Sequence, residues 1–178
     1  MHRTSVVSAY LARLDAQREA IFAELALVDA ARLWQRRGPR EWSAGEHLAH
    51  APAVLRSFRQ ILQVVWVALA PIGYLRRGRP YEIEIDDVYA RPDFPLNVGW
   101  LWPPKYTPAR PASLATLHAL IAAEHGRVRR FYAGKDERVL GNTPLYDPAI
   151  GRLNMIQALQ VGVHHDEHHF ATIRRLLE

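Results

Sequence analysis

The sequence contains no cysteine, so none of its 178 residues can form a disulfide or offer a thiolate to a metal. Any bound ion must therefore be held by nitrogen and oxygen. Lysine is almost missing as well: 21 arginines against two lysines carry the positive charge, for a formal net charge of +5. The arginines fall in small scattered clusters (Arg36 and Arg37, Arg127 to Arg130, Arg174 and Arg175) with no accompanying nucleic-acid motif, which predicts solvated faces and no nucleic-acid partner. No apolar run approaches the roughly 20 residues needed to cross a bilayer. The longest, Leu62 to Leu75, contains Pro71, and no membrane association is expected. The opening stretch MHRTSVVSAYLARLDAQREAIF lacks the apolar core and small-residue cleavage site of a secretory leader, so a cytoplasmic location is expected.

What is present is an apolar fraction of 49%, enough to build a substantial core, in a length that suits one domain over residues 1–178. From Ser5 to about Leu33, apolar residues recur at helical spacing without glycine or proline, which predicts a long first helix. A second starts after Ser43, where SAGE sets a hydroxyl three residues ahead of Glu46 in the pattern of a capping box. It is predicted to bend at Pro52 and to end near Leu69, ahead of Pro71 and Gly73. Residues 78 to 111 hold seven prolines, with Trp100 and Trp102 among them, and predict a long loop whose aromatics argue for order and function. Within it, YEIEI at 81 to 85 alternates as a strand or simply extended segment does. A third helix begins near Ser113 and ends by Gly134, and a fourth runs from an N-cap at Asn154 to the C-terminus. Four long helices and no clear sheet predict an all-α four-helix bundle with a proline-rich loop between helices 2 and 3.

The fourth helix carries HHDEHH, residues 164 to 169. Side chains four apart on a helix lie one turn apart on the same face, so His164 with His168 and His165 with His169 are two possible chelating pairs. On a helical wheel Met155, Ile156, Leu159, Val163, Phe170, Ile173 and Leu177 define the apolar face. His165 and His169 fall at its edge, while His164 and His168 fall nearly opposite and read as solvated. Asp166 lands close to the apolar centre, where a carboxylate needs a partner. A third ligand must come from elsewhere. HLAH at 47 to 50 offers two candidates, of which His47 points nearer the apolar face, although a bend at Pro52 disturbs the angles. His118 and His125, seven apart on helix 3, share a face and suit supporting hydrogen bonds or ordinary partly buried positions. His164, Glu167 and His168 also satisfy H-x-x-E-H, a zinc-peptidase pattern. That pattern needs an acidic ligand well downstream, and only ten residues follow, so the match is coincidental.

The frame Trp42, Ser43, Glu46, Leu48 and His50 (W-S-x-x-E-x-L-x-H) resembles the start of helix 2 in the DinB-like (YfiT-like) superfamily of metal-dependent enzymes. The ending TPLYDPAIGRLNMIQALQVGVHHDEHHFATIRRLL is similar to that superfamily's last helix, with an H-x-x-x-H pair inside H-x-x-H-H-x-x-x-I. The sequence departs from the usual pattern at Ala51 and Pro52, after His50, and at Ala171 and Thr172, before the isoleucine. The resemblance implies metal ligands at His50, His165 and His169, choosing His50 over His47, and a homodimer.

Three imidazoles around a divalent ion leave at least one coordination position open, as catalytic sites do, and zinc or nickel suits neutral nitrogen ligands. The resemblance implies thiol chemistry: an S-transferase that joins a low-molecular-weight thiol to a small electrophilic substrate. Trp100, Trp102 and Tyr106 are candidates to line the substrate cleft, or else form a hydrophobic lid. The same ion could instead activate water for hydrolysis. A non-catalytic metal-binding or stress-response protein is the third reading.

Overall fold

A computed structural model describes residues 5–39, 41–91 and 113–178. Four long helices dominate it: α1 (Val6–Leu25), α3 (Ala44–Arg76), α4 (Leu114–Tyr132) and α6 (Met155–Leu177). Two short helices, α2 (Ala30–Leu33) and α5 (Glu137–Asn142), and a hairpin of β1 (Pro144–Asp147) with β2 (Gly151–Asn154) fill the connections. The architecture is all-α, as the periodicity predicts.

The predicted helix starts hold, because each has a side chain able to satisfy the free N–H groups of a first turn. Ser43 and Glu46 close a reciprocal capping box on α3, Asn154 and Gln157 close another on α6, and the Ser113 hydroxyl caps α4. Two boundaries differ from prediction. The first helix stops at Leu25, and Asp29 caps a separate turn, α2. In turn, α3 runs through Pro71 and Gly73 to Arg76, because α5 packs against it there: a Cβ on Gly73 would lie 2.7 Å from the Val139 carbonyl oxygen and would also strike the Thr143 side chain. At this length α3 is, by length and composition, apolar enough to cross a bilayer, which the interrupted run 62 to 75 does not suggest. The turn-rich segment before α6 forms the hairpin, a small sheet absent from the prediction. YEIEI is extended without strand pairing; its backbone is held by side chains of α6's first two turns, with Asn154 Nδ2 donating to the Glu82 carbonyl, Gln157 Nε2 to that of Glu84, and Ile85 N donating to Gln160 Oε1.

Each of α1 and α3 packs on both α4 and α6, which sets α1 and α3 on one diagonal of the bundle and α4 and α6 on the other. The apolar interior is in two clusters. One holds Leu11 and Leu14 of α1, Leu62 of α3, Val128 of α4 and Leu159 of α6; the other holds Ile21, Leu48, Ile121 and Phe170 of the same four helices. Following these residues along each helix gives the directions: α1 and α6 run one way, α3 and α4 the other. Because α3 and α4 are parallel, the chain between them must return the length of the bundle, roughly 30 Å for helices of this size. A short turn cannot do that, which is the physical reason for the long connection. Its segment 92–112 lies outside the described residues.

Between the two apolar clusters each helix contributes polar residues: Arg18 on α1, Arg56 and Arg59 on α3, Glu124 and His125 on α4, and His164 to His169 on α6. Glu124 is 1% exposed and is paired with Arg56, Arg59 and Arg127. This belt fixes the level at which functional side chains can meet inside the bundle. Substituting Gly73→Ala should force α5 away from α3 and lower stability by about 1–3 kcal/mol, the usual cost of overpacking. Urea unfolding measures it, and an unchanged midpoint would contradict the close helix contact.

Candidate metal centre

α3 and α6 are antiparallel neighbours, and the first turns of α3 face the middle of α6. That arrangement brings His50 beside His165 and His169, with one ligand nitrogen from each ring within 4.8 Å of the others. Ring centroids are 5.7 Å apart for His50 and His165, 5.1 Å for His50 and His169, and 4.5 Å for His165 and His169. His50 Nδ1 and His165 Nε2 are buried and without a hydrogen-bond partner. A buried nitrogen left unpaired normally costs free energy, so two of them facing a cluster of imidazoles fit a site shaped for a cation.

The rings are suited to this by their electrostatics. Burial, with neighbouring imidazoles adding to it, lowers the His50 pKa to about 3. Burial and the nearby His168 lower that of His47 to about 4. His169 is held well below its ordinary value by burial and by His165, His50 and His47 around it. These three rings stay neutral at physiological pH, the form in which imidazole ligates metals.

His47, the candidate that the wheel favours, lies beside the three-histidine group, its Nδ1 3.0 Å from His169 Nδ1. Trp42, one residue before the N-cap of α3, packs on both His47 and His50, with centroids at 5.4 and 4.9 Å. The W-S-x-x-E frame thus has a local physical meaning: Ser43 and Glu46 fix the start of the helix, Arg36 Nε donates to Glu46 at 2.9 Å, and Trp42 braces the rings one turn on.

The outer pair differs from expectation. His164 is only 7% exposed, and His168 is half-buried, because residues 81–90 lie across that face of α6. A 3-10 turn, Val88–Ala90, stacks Tyr89 on His168 at 5.3 Å and sets the same ring edge-on to His165 at 5.8 Å. Asp87 Oδ1 approaches His164 Nδ1 at 3.9 Å, too far for a hydrogen bond. Sequence reasoning missed Tyr89 beside the site; its one signal is the acidic cap Asp87, which accepts from the Tyr89 backbone N–H and nucleates that turn. Burial raises the Tyr89 pKa, so its hydroxyl keeps its proton.

Asp166 is fully buried, and its partners are His165 on one side and His125 on the other. Burial pushes its carboxyl up, but these hydrogen bonds outweigh burial and hold it below its ordinary value. His118 does not join the site: it contacts Glu19 and packs on Phe22 near the surface. Glu167, central to the peptidase-like pattern, points outward to Arg13. Trp100, Trp102 and Tyr106 lie outside the described residues.

Four long helices arranged in this way, with histidines from two of them converging between the cores, define a helical-bundle protein with a possible metal-binding group. A family model for the DinB superfamily matches residues 10–173, nearly the whole chain, and the protein belongs to that superfamily. No curated protein and no solved structure matches the chain.

The lowered histidine pKa values have a consequence for the metal-free chain. Unfolded histidines take up protons below pH 6.5, whereas folded His47 and His50 resist until about 4 and about 3. Between those limits the unfolded state binds more protons, so stability increases with pH and falls as pH drops from 6.5 toward 4. Urea midpoints of chelator-treated protein at pH 7, 6 and 5 should decrease, and the decrease should be shallower in a His47→Gln, His50→Gln variant. A flat profile in both would contradict the burial of these rings.

Proposed function

We propose that this protein is a metal-dependent enzyme, an S-transferase that joins a low-molecular-weight thiol to a small electrophile, with His50, His165 and His169 as the ligands of a zinc or nickel ion. The observation that carries the reading is the convergence of three largely buried histidines, two with orphaned ring nitrogens, in a chain without cysteine. Three protein ligands leave a position free for a substrate group. A divalent ion there supplies positive charge that favours ionisation of a thiol near neutral pH.

The chain's own residues do the rest. Trp42 and Tyr89 wall the group on two sides and limit water, which strengthens electrostatic interactions inside. The Tyr89 hydroxyl, kept protonated by burial, cannot accept the thiol's proton as a phenolate would.

Metal analysis of tag-free protein should give close to one zinc or nickel per chain, and His50→Ala should reduce that at least tenfold. Less than a tenth of an ion in the wild-type chain, even after reconstitution, would overturn the metal reading. Consumption of a thiol with an electrophile supports the transferase; ester or amide hydrolysis without thiol use would replace it with a hydrolase.

We propose also that the protein is a cytoplasmic homodimer. Support comes from the face of α3 that exposes Val64, Val67, Tyr74 and Leu75, a stripe free of charge that a second copy would cover. Sedimentation should give twice the chain mass of 20.3 kDa, and Val64→Glu with Val67→Glu should give the monomer. A wild-type monomer in the absence of detergent overturns this pairing.

A further inference from the structure

A hydrogen-bond chain crosses the bundle from α1 to the candidate metal group, and the chemistry of its first member fixes the direction of every later bond. Arg18 is 11% exposed and firmly held: Nη1 donates to Asp15 Oδ1 at 2.8 Å, and Nη2 and Nε donate to Glu19 Oε1 at 2.8 and 3.1 Å. Asp15 is in turn paired with Arg129 of α4. The same Arg18 Nη1 lies 2.9 Å from His125 Nδ1. A guanidinium can only donate, so His125 Nδ1 must be the acceptor and carry no proton. The proton of this imidazole is then on Nε2, which is 3.3 Å from Asp166 Oδ2 and donates to it. Asp15 Oδ1 is 3.6 Å from His125 Nδ1, beyond hydrogen-bond range, and does not compete with Arg18.

Asp166 has no exposed surface, and its other oxygen, Oδ1, is 3.1 Å from His165 Nδ1. An ionised carboxylate is an acceptor only, so His165 must donate from Nδ1. That leaves the lone pair of His165 on Nε2, the nitrogen that is buried without a partner. We infer that Arg18, acting through His125 and Asp166, sets His165 in the tautomer that presents Nε2 to a cation, and that all three are positioning residues for the group. The inference rests on the metal reading for its purpose, but the tautomers themselves belong to the metal-free chain. Outer partners of metal-ligating histidines act in this way generally, fixing ring orientation and raising ligand basicity. What is particular here is that the instruction originates on a helix that contributes no ligand.

The test begins with the unaltered protein. Long-range proton–nitrogen correlation spectra of the ¹⁵N-labelled, metal-free chain at pH 7.5 should show His125 with its proton on Nε2 and His165 with its proton on Nδ1. A His165 ring protonated on Nε2, or an even mixture, overturns the inference whether or not any variant folds. Two substitutions then test the positioning role. Asp166→Asn, which can donate as well as accept, should turn His165 into a tautomer mixture and weaken Zn²⁺ affinity, measured by chelator competition, by about 10–100-fold. Arg18→Met keeps the stem but removes the donor to His125 Nδ1 while Asp166 still accepts from Nε2, and should lower Zn²⁺ affinity by less than Asp166→Asn does. Unchanged Zn²⁺ affinity in Asp166→Asn overturns the positioning role. A wild-type chain that binds no Zn²⁺ sinks the metal reading instead and leaves the tautomers to be decided by the spectra.

Discussion

The buried carboxylate of Asp166 is the constraint around which the middle of this bundle is arranged. Taking a carboxylate out of water costs several kcal/mol, which only good hydrogen bonds and opposite charge offset, and removing a partner from such a group typically costs about 3–5 kcal/mol. Asp166 meets that demand with one histidine from its own helix and one from α4, across the diagonal of the bundle. The second histidine in turn needs Arg18 from α1. Together with the ion pairs of Glu124 with Arg56 and of Asp15 with Arg129, this chain of bonds holds the helices in one register. The apolar core accordingly divides into two clusters, one on either side of this level.

The same register places the metal-type group. His165 and His169 come together because they are one turn apart; His50 joins them because α3 runs antiparallel to α6 and its capped first turn is anchored by Ser43, Glu46 and Arg36. His50 and His169 are neutral because they are buried, and one nitrogen of His50 and one of His165 are buried without a hydrogen-bond partner. A bundle built only for stability would satisfy those nitrogens or replace the rings with leucine. Their convergence, in a chain that matches the DinB superfamily over residues 10–173, is what turns a cluster of histidines into a candidate site.

Much of this was legible in the residues themselves. Helix starts were readable because capping is local chemistry: Ser43 with Glu46, Ser113, and Asn154 with Gln157 each lie within four residues of the N–H groups they serve. The pairing of His165 with His169 follows from helical spacing. Helix ends were less legible, since Pro71 and Gly73 break helices by intrinsic propensity, while the packing of α5 against Gly73 is a tertiary fact. The wheel misplaced His164 for a similar reason. It measures angle from the helix's own apolar face and carries no information about residues 81–90, which cover the opposite side. On α3 the wheel favoured His47 and the family frame favoured His50; the structure puts His50 in the three-histidine group and His47 against His169.

The sequence by itself determined the elements and the inventory: four amphipathic helices, nitrogen and oxygen as the available ligand atoms, and a histidine pair with spacing suited to one ion. These are properties of composition and of contacts within a few residues, which do not depend on where the rest of the chain goes. Tertiary structure alone decided which residues became neighbours across the bundle. That α3 and α4 run parallel, that Tyr89 stacks on His168, and that Arg18 reaches His125 and through it Asp166 all follow from helix direction and register. Those depend on packing between segments up to more than a hundred residues apart, and periodicity along one helix holds no record of its partner.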